Sequence, residues 1–190
     1  MERDIEKLKK DLSKKIGKER FLHSIGVMNM CEELATCYNA DVNKAKLIGL
    51  MHDMAKELSK EEKLQYVKEN NIAHTSIELQ AYEILHGKIA ADICKKQYGF
   101  DDEMCEAIAI HTTGKENMTI LEKILFIADK IDKTRKYEGV EEIRKLAFES
   151  LDKAIIKNID ATLIINIQKN NLILEESIKT RNYLLLTSEN

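Results

Sequence analysis

Apolar residues recur at helical spacing from one end of this chain to the other, and no stretch alternates apolar and polar like a strand. Ile5, Leu8, Leu12 and Ile16 keep the helical step, and Gly17 is placed to end that helix. A second helix is predicted from about Glu19 to Tyr38, with Leu22, Ile25 and Val27 turned toward the core. Asp41 is a suitable N-cap for a helix that carries His52 and Asp53. Ser59 and Glu62 form a capping box opening a helix to about Glu69, which Asn70-Asn71 breaks. Ser76 starts a short helix that His86-Gly87 interrupts or bends. The pattern resumes from Lys88 to Tyr98 and stops at Gly99. Asp101 caps the next helix, ending near His111-Thr112-Thr113-Gly114. A second capping box, Thr119 with Glu122, leads into Lys123–Asp132. Helices at about Val140–Phe148, Leu151–Lys169 and Glu175–Leu186 complete the pattern. With no repeat and no compositional break, the expectation is an all-α, single-domain helical bundle.

Composition narrows what such a bundle does. At 190 residues the chain is long enough for one sizeable core. Hydrophobic residues at 44% and charged residues at 33% give a globular balance. A net charge of −3 supplies no overall field toward nucleic acid, so an anionic substrate would need a local basic cluster or a metal. The first residues, Met1 to Lys7, lack the apolar core of a signal peptide, and no apolar run is long enough to span a bilayer. The chain is therefore expected to be soluble and cytoplasmic, without a membrane or nucleic-acid partner. Cys31, Cys37, Cys94 and Cys105 form no C-x-x-C pair and are expected to be reduced core residues.

The candidate chemistry lies in the histidines and aspartates. His52 and Asp53 stand side by side in the apolar run Gly49 to Lys56. Read alone, the pair is a hydrogen bond inside a helical core. However, His23, His86 and His111 also interrupt or end apolar helical segments, and Asp129 sits inside the apolar run from Ile124. Each would be costly to bury unpaired. One shared cation accounts for all six, because imidazole and carboxylate are common metal ligands. These ligand types admit iron, manganese, cobalt or zinc. His74 lies in a polar loop and is left out as a surface residue. Lys56 follows Asp53 by a same-face step, so its ammonium would reach the site unless it is a solvated helix-end lysine. Arg135 offers a planar fork for phosphate oxygens, or is one more cation in a basic loop with Lys130, Lys133 and Lys136. The Thr112 and Thr113 hydroxyls could donate to a phosphate or merely close a helix.

The order His23, His52-Asp53, His86, His111, Asp129 resembles the HD superfamily of metal-dependent phosphohydrolases. In closer detail it is similar to the bacterial YqeK family of symmetrical diadenosine tetraphosphate hydrolases. The matching stretches are Arg20 to Ser24, Gly49 to Lys56, His86-Gly87, His111 to Gly114, Leu121 to Asp129 and Arg135. Gly139 to Arg144 and Thr180 to Leu184 also match, so the likeness runs from about Arg20 to Leu185. It implies one HD domain over 1–190, with a core at about 18–135 and C-terminal helices at about 138–188 packing on it. It implies that His23, His52, Asp53 and Asp129 hold one metal, iron in this family. His86 and His111 would either complete a second site bridged by Asp53 or contact phosphates. Asp53, Lys56, His86 and His111 would be catalytic. Lys56, His86, His111, Thr112, Arg135, Leu172 and Ile173 would bind the nucleotide. The implied substrate is a dinucleoside polyphosphate, with ADP or GDP as product-like ligand, and there is room for a homodimer. A nucleotidase acting on another nucleotide and a non-catalytic nucleotide sensor are the competing readings. Two departures stand out. The turn from Lys130 to Arg135 lacks the proline that the family carries there, and Glu138 stands where a further one precedes Gly139, which removes backbone restriction from the loop presenting Arg135.

Overall fold

The computed structural model describes residues 5–187. Two expectations touch the remaining residues: the absence of a leader falls partly on 1–4, and the end of the C-terminal helices on 188. Both lie outside the described residues.

Eleven helices form among the described residues: α1 (Ile5–Leu12), α2 (Lys18–Cys37), α3 (Val42–Met51), α4 (Lys60–Glu69), α5 (Ser76–Gln80), α6 (Leu85–Tyr98), α7 (Asp102–Ile110), α8 (Ile120–Ile131), α9 (Val140–Glu149), α10 (Leu151–Gln168) and α11 (Glu175–Thr187). One 3₁₀ turn, Tyr82–Ile84, precedes α6. The fold is all-α, as the periodicity predicts.

Local chemistry starts and stops the helices. The Asp41 carboxylate accepts from the Lys44 amide, and Asp101 does the same for Met104. Capping boxes open α4 at Ser59 with Glu62 and α8 at Thr119 with Glu122. A third, Thr75 with Glu78, opens α5. Gly99 ends α6 at φ 63°, a left-handed conformation that suits glycine.

The core forms around α8, whose Ile124, Leu125, Ile127, Ala128 and Ile131 are all 0% exposed. Two tight helix pairs, α2 with α3 and α6 with α7, pack beside it, α9 and α10 also pack on it, and α11 lies on α10. Truncating Ile124 or Leu125 to alanine would cost about 2–5 kcal/mol, the range for emptying a closed core site. Glycine permits the two close crossings. A Cβ on Gly49 would meet the Met28 Cα at 2.9 Å, and one on Gly87 would meet the Ile108 and Ala109 carbonyl oxygens at 3.0 Å. No helix among the described residues is long and apolar enough to cross a membrane.

Four expectations need correcting. The helix from Asp41 stops at Met51, so His52 and Asp53 sit at its C-terminal end rather than within it. His86-Gly87 does not break a helix: it lies in the first turn of α6, and the break falls earlier, at Ala81. Leu22 is 52% exposed, because His23, Val27 and Cys31 form the buried stripe of α2 and Leu22 lies one step round from it. Cys37 is exposed at the last turn of α2, while Cys31, Cys94 and Cys105 are buried.

Candidate metal centre

Five segments meet at one point. α2 brings His23, the end of α3 brings His52 and Asp53, α6 brings His86, the end of α7 brings His111, and α8 brings Asp129. All six are buried, none above 7% exposed.

Helix ends explain how the imidazoles are aimed. The last carbonyls of a helix have no partner within it. His52, the residue after α3, donates its Nδ1–H to the Gly49 carbonyl at 2.8 Å. His111, the residue after α7, donates in the same way to Ile108 at 2.7 Å. His86 donates to Glu83, in the 3₁₀ turn just before α6, at 2.5 Å. A carbonyl only accepts, so in each ring Nδ1 carries the proton and Nε2 keeps its lone pair. His23 has a carboxylate in place of a carbonyl, its Nδ1 lying 3.2 Å from Asp132 Oδ2.

The four Nε2 atoms face the two aspartates. His23 Nε2 is 3.0 Å from Asp129 Oδ1, and His86 Nε2 is 3.0 Å from Asp53 Oδ1. His52 Nε2 lies 3.6 Å from Asp53 Oδ2 and 3.7 Å from Asp129 Oδ1, and has no hydrogen-bond partner although fully buried. The Nε2 atoms of His86 and His111 stand 3.1 Å apart, lone pair toward lone pair. Such an inward set of lone pairs is completed by a cation. Two triads have ligand atoms within 4.8 Å of one another: His23, His52 and Asp129, and His52, Asp53 and His111. The residues fit a metal ion, and the C-terminal dipoles of α3 and α7 favour positive charge there.

The proton affinities tell the same story. Burial favours the acid forms of Asp53 and Asp129. For Asp53 the imidazoles of His52, His111 and His86 outweigh it. For Asp129 the Lys130 ammonium, His23 and His52 do. Both carboxylates are held well below the usual range. Burial lowers the pKa of His86 despite Asp53, and that of His111 falls to about 4. His23 is raised, because Asp129 and Asp132 overcome its burial.

Cations ring this acidic floor. Arg20 Nη1 is 2.8 Å from Asp53 Oδ2, Lys130 Nζ is 2.6 Å from Asp129 Oδ2, and Arg135 Nη2 is 2.8 Å from Asp129 Oδ1. Lys56 Nζ lies 3.4 Å from His86 Nδ1, and burial lowers its pKa. The loop presenting Arg135 is held without the prolines. Asp132 Oδ1 accepts from the Thr134 amide at 2.9 Å and from its hydroxyl at 2.6 Å. From α9, Arg144 donates to the Ile131 carbonyl at 2.7 Å and the Asp132 carbonyl at 3.0 Å.

Thr112, Leu172 and Ile173 lie apart from the ion-binding cluster. They meet instead in a neighbouring cavity of about 300 Å³, with Lys130 and Asn158 on its wall. Thr113 does not face it, since its hydroxyl donates to the Gly114 carbonyl at 3.1 Å. Thr180, which the resemblance includes, is fully buried and donates to the Thr113 carbonyl at 3.3 Å, tying α11 to this turn. His74 is exposed. Arg20 and Asp132 join the site without being expected there, and Lys130, expected as one cation of a basic loop, faces Asp129. Their signal is spacing: Arg20 is three residues before His23, Lys130 follows Asp129, and Asp132 is three residues beyond Asp129.

A helical bundle with four inward imidazoles and two carboxylates at its centre is a metal-binding helical protein. Residues 20–134 match the HD domain family, and the chain belongs to that family. It is 33% identical to the symmetrical bis(5'-nucleosyl)-tetraphosphatase of Bacillus subtilis, over 92% of this chain and 94% of that one. It is 38% identical to the protein of that name from Halalkalibacterium halodurans, over 90% and 91% of the two chains. Among solved structures, a "predicted HD superfamily hydrolase involved in NAD metabolism" from Clostridium acetobutylicum superposes with a TM-score of 0.94. It is 36% identical, and all of both chains is covered.

Proposed function

We propose that this chain, as a single HD domain, is a metal-dependent hydrolase that splits diadenosine tetraphosphate symmetrically into two ADP. One observation carries the reading: a cluster of inward lone pairs lies beneath four cations and beside a nucleoside-sized cavity. The names of the two relatives, each matched over nine-tenths of its length, support the same substrate class.

In this reading His23, His52, Asp53 and Asp129 hold the ion, which we assign as iron. His86 and His111 take a second ion or the phosphates. When bound, the metal supplies Lewis-acid polarisation of a phosphoryl oxygen and a water acidified toward neutrality. The side chains do the rest. Arg20, Lys56, Lys130 and Arg135 offset the charge of the polyphosphate, which otherwise repels a nucleophile. Where no second ion takes them, the Nε2 lone pairs of His86 and His111, kept neutral by burial, are proton acceptors near Asp53, and each becomes a donor to a phosphate oxygen once protonated. Arg135 and Lys130 then stabilise the departing ADP, while Thr112, Leu172 and Ile173 hold one nucleoside arm.

The test is product analysis. Protein reconstituted separately with iron, manganese, cobalt and zinc is incubated with diadenosine tetraphosphate and the nucleotides are separated. ADP as the main product is expected. ATP plus AMP, or no turnover with any metal, would sink the reading. A faster rate on a nucleoside monophosphate would favour a nucleotidase.

A further inference from the structure

We propose that a second cavity, of about 400 Å³, is the subsite for the second nucleoside of the same dinucleotide. The inference rests on the reading above and adds where the other half of the substrate lies. Lys130 and Arg135 line this cavity on the side of the metal centre, Tyr137 and Ile143 supply ring and aliphatic surface, and Ala161 and Ile165 contribute from α10.

The placement is what argues for it. Lys130, Asn158 and Thr162 line both this cavity and the one holding Leu172 and Ile173, so one thin wall separates the two. That wall ends at the centre, because Lys130 Nζ pairs with Asp129 Oδ2 at 2.6 Å. Arg135, from the second cavity, reaches the other oxygen of Asp129 at 2.8 Å. Asp129 is thus approached on one oxygen by the cation that the two cavities share and on the other by a cation of the second cavity alone. Symmetrical cleavage puts the broken anhydride at the substrate's midpoint. Two equal nucleoside diphosphate arms must then leave the centre in different directions, and one cavity accommodates only one of them.

The chemistry of the second cavity suits such an arm. Tyr137 is 41% exposed, and its hydroxyl donates to the Lys130 carbonyl at 3.0 Å, which fixes the ring at the rim. A fixed, half-exposed ring offers a stacking face to a base. Ile143 is buried at 3% exposure, whereas Ile165 is 48% exposed and open to contact. Lys130 and Arg135 supply positive charge for a diphosphate at the inner end, while Glu138 and Lys157, the latter paired with Glu142, lie on the same lining. The volume falls within the range of small-molecule pockets.

The experiment compares two substrates on the metal-loaded protein. Diadenosine tetraphosphate uses both cavities. Adenosine 5'-tetraphosphate, cut by water to ADP and pyrophosphate, carries one nucleoside and needs one. Ala161→Trp fills the second cavity from an exposed position of α10, and Tyr137→Ala removes the ring. Each should lower the ratio of kcat/KM for the dinucleotide to that for the mononucleotide about tenfold, with the melting temperature preserved. An unchanged ratio in both variants, or a wild-type ratio near one, overturns the second subsite. Failure of the wild type to cleave either compound is a separate result, which overturns the hydrolase reading itself.

Discussion

The metal centre and the C-terminal hairpin of α10 and α11 are built on opposite principles. At the centre, all four imidazoles and both carboxylates are buried, and three of the imidazoles are locked by a carbonyl three residues back. Backbone, not neighbouring side chains, sets their direction. The hairpin instead exposes apolar surface: Ile164 is 56%, Ile167 63% and Leu172 51% accessible. Its polar ties are few, among them Arg181 with Asp160 and Thr180 with the Thr113 carbonyl. The difference teaches where chemistry and recognition are stored. Ligand geometry tolerates little error and is written into helix ends. Contact with a nucleoside tolerates more and is left to side chains on the looser element. Changes at the centre should therefore remove the ion, while changes on the hairpin should alter only substrate affinity.

The largest effect should come from Asp53→Ala. Asp53 faces Arg20, His86 and His111 as well as His52 and His23. Its loss should remove metal and activity together, by more than the ~100-fold that outer-shell changes cost. Elemental analysis beside a turnover assay checks this, and wild-type metal stoichiometry in the variant would show that Asp53 is no ligand. Next in size is Asp132→Asn. This change keeps the shape but takes the charge from the carboxylate at His23 Nδ1. A metal affinity about 10–100-fold weaker is expected in a chelator competition. Unaltered affinity would mean that the helix-end carbonyls alone set the centre. Arg135→Ala should act differently: the metal stays and KM rises roughly tenfold. If this variant loses the ion, Arg135 serves the centre and not the phosphates.

The parts that sequence made legible are those decided locally. Ser59 with Glu62, Thr119 with Glu122, and Gly99 announce helix ends within four residues, and the structure has them. The six buried polar residues were legible because each breaks an apolar pattern that a core must otherwise keep. What stayed hidden depends on distant parts of the chain. His52 and Asp53 read as helical because nothing nearby signals a stop. The helix ends there with the Gly49 carbonyl given to the His52 ring. Gly87 read as a helix breaker because its reason lies in α7, whose carbonyls would meet a Cβ at 3.0 Å. Asp132 went unnoticed because a carboxylate in a polar turn is ordinary until His23 is seen beside it. Loss of the prolines suggested a slack loop, and only the fold brings Arg144 to the carbonyls that hold it.

The smallest effect belongs to the hairpin and is the sharpest test of the division. Ile173 is half-buried and lines the first cavity with Leu172. Cutting either to alanine removes methyl groups from a contact that forms only when a nucleoside is bound. In an apolar pocket such a loss is worth about 1–3 kcal/mol at most, and less for the exposed Leu172. KM for the dinucleotide should rise several-fold in Ile173→Ala and about twofold in Leu172→Ala. Metal content and kcat should match the wild type, because no ligand is tied to this loop. Steady-state kinetics on metal-assayed protein reads both numbers together. A fall in kcat with KM unchanged would mean that the hairpin helps to place the reacting phosphates, and the separation of chemistry from recognition would fail at its weakest contact.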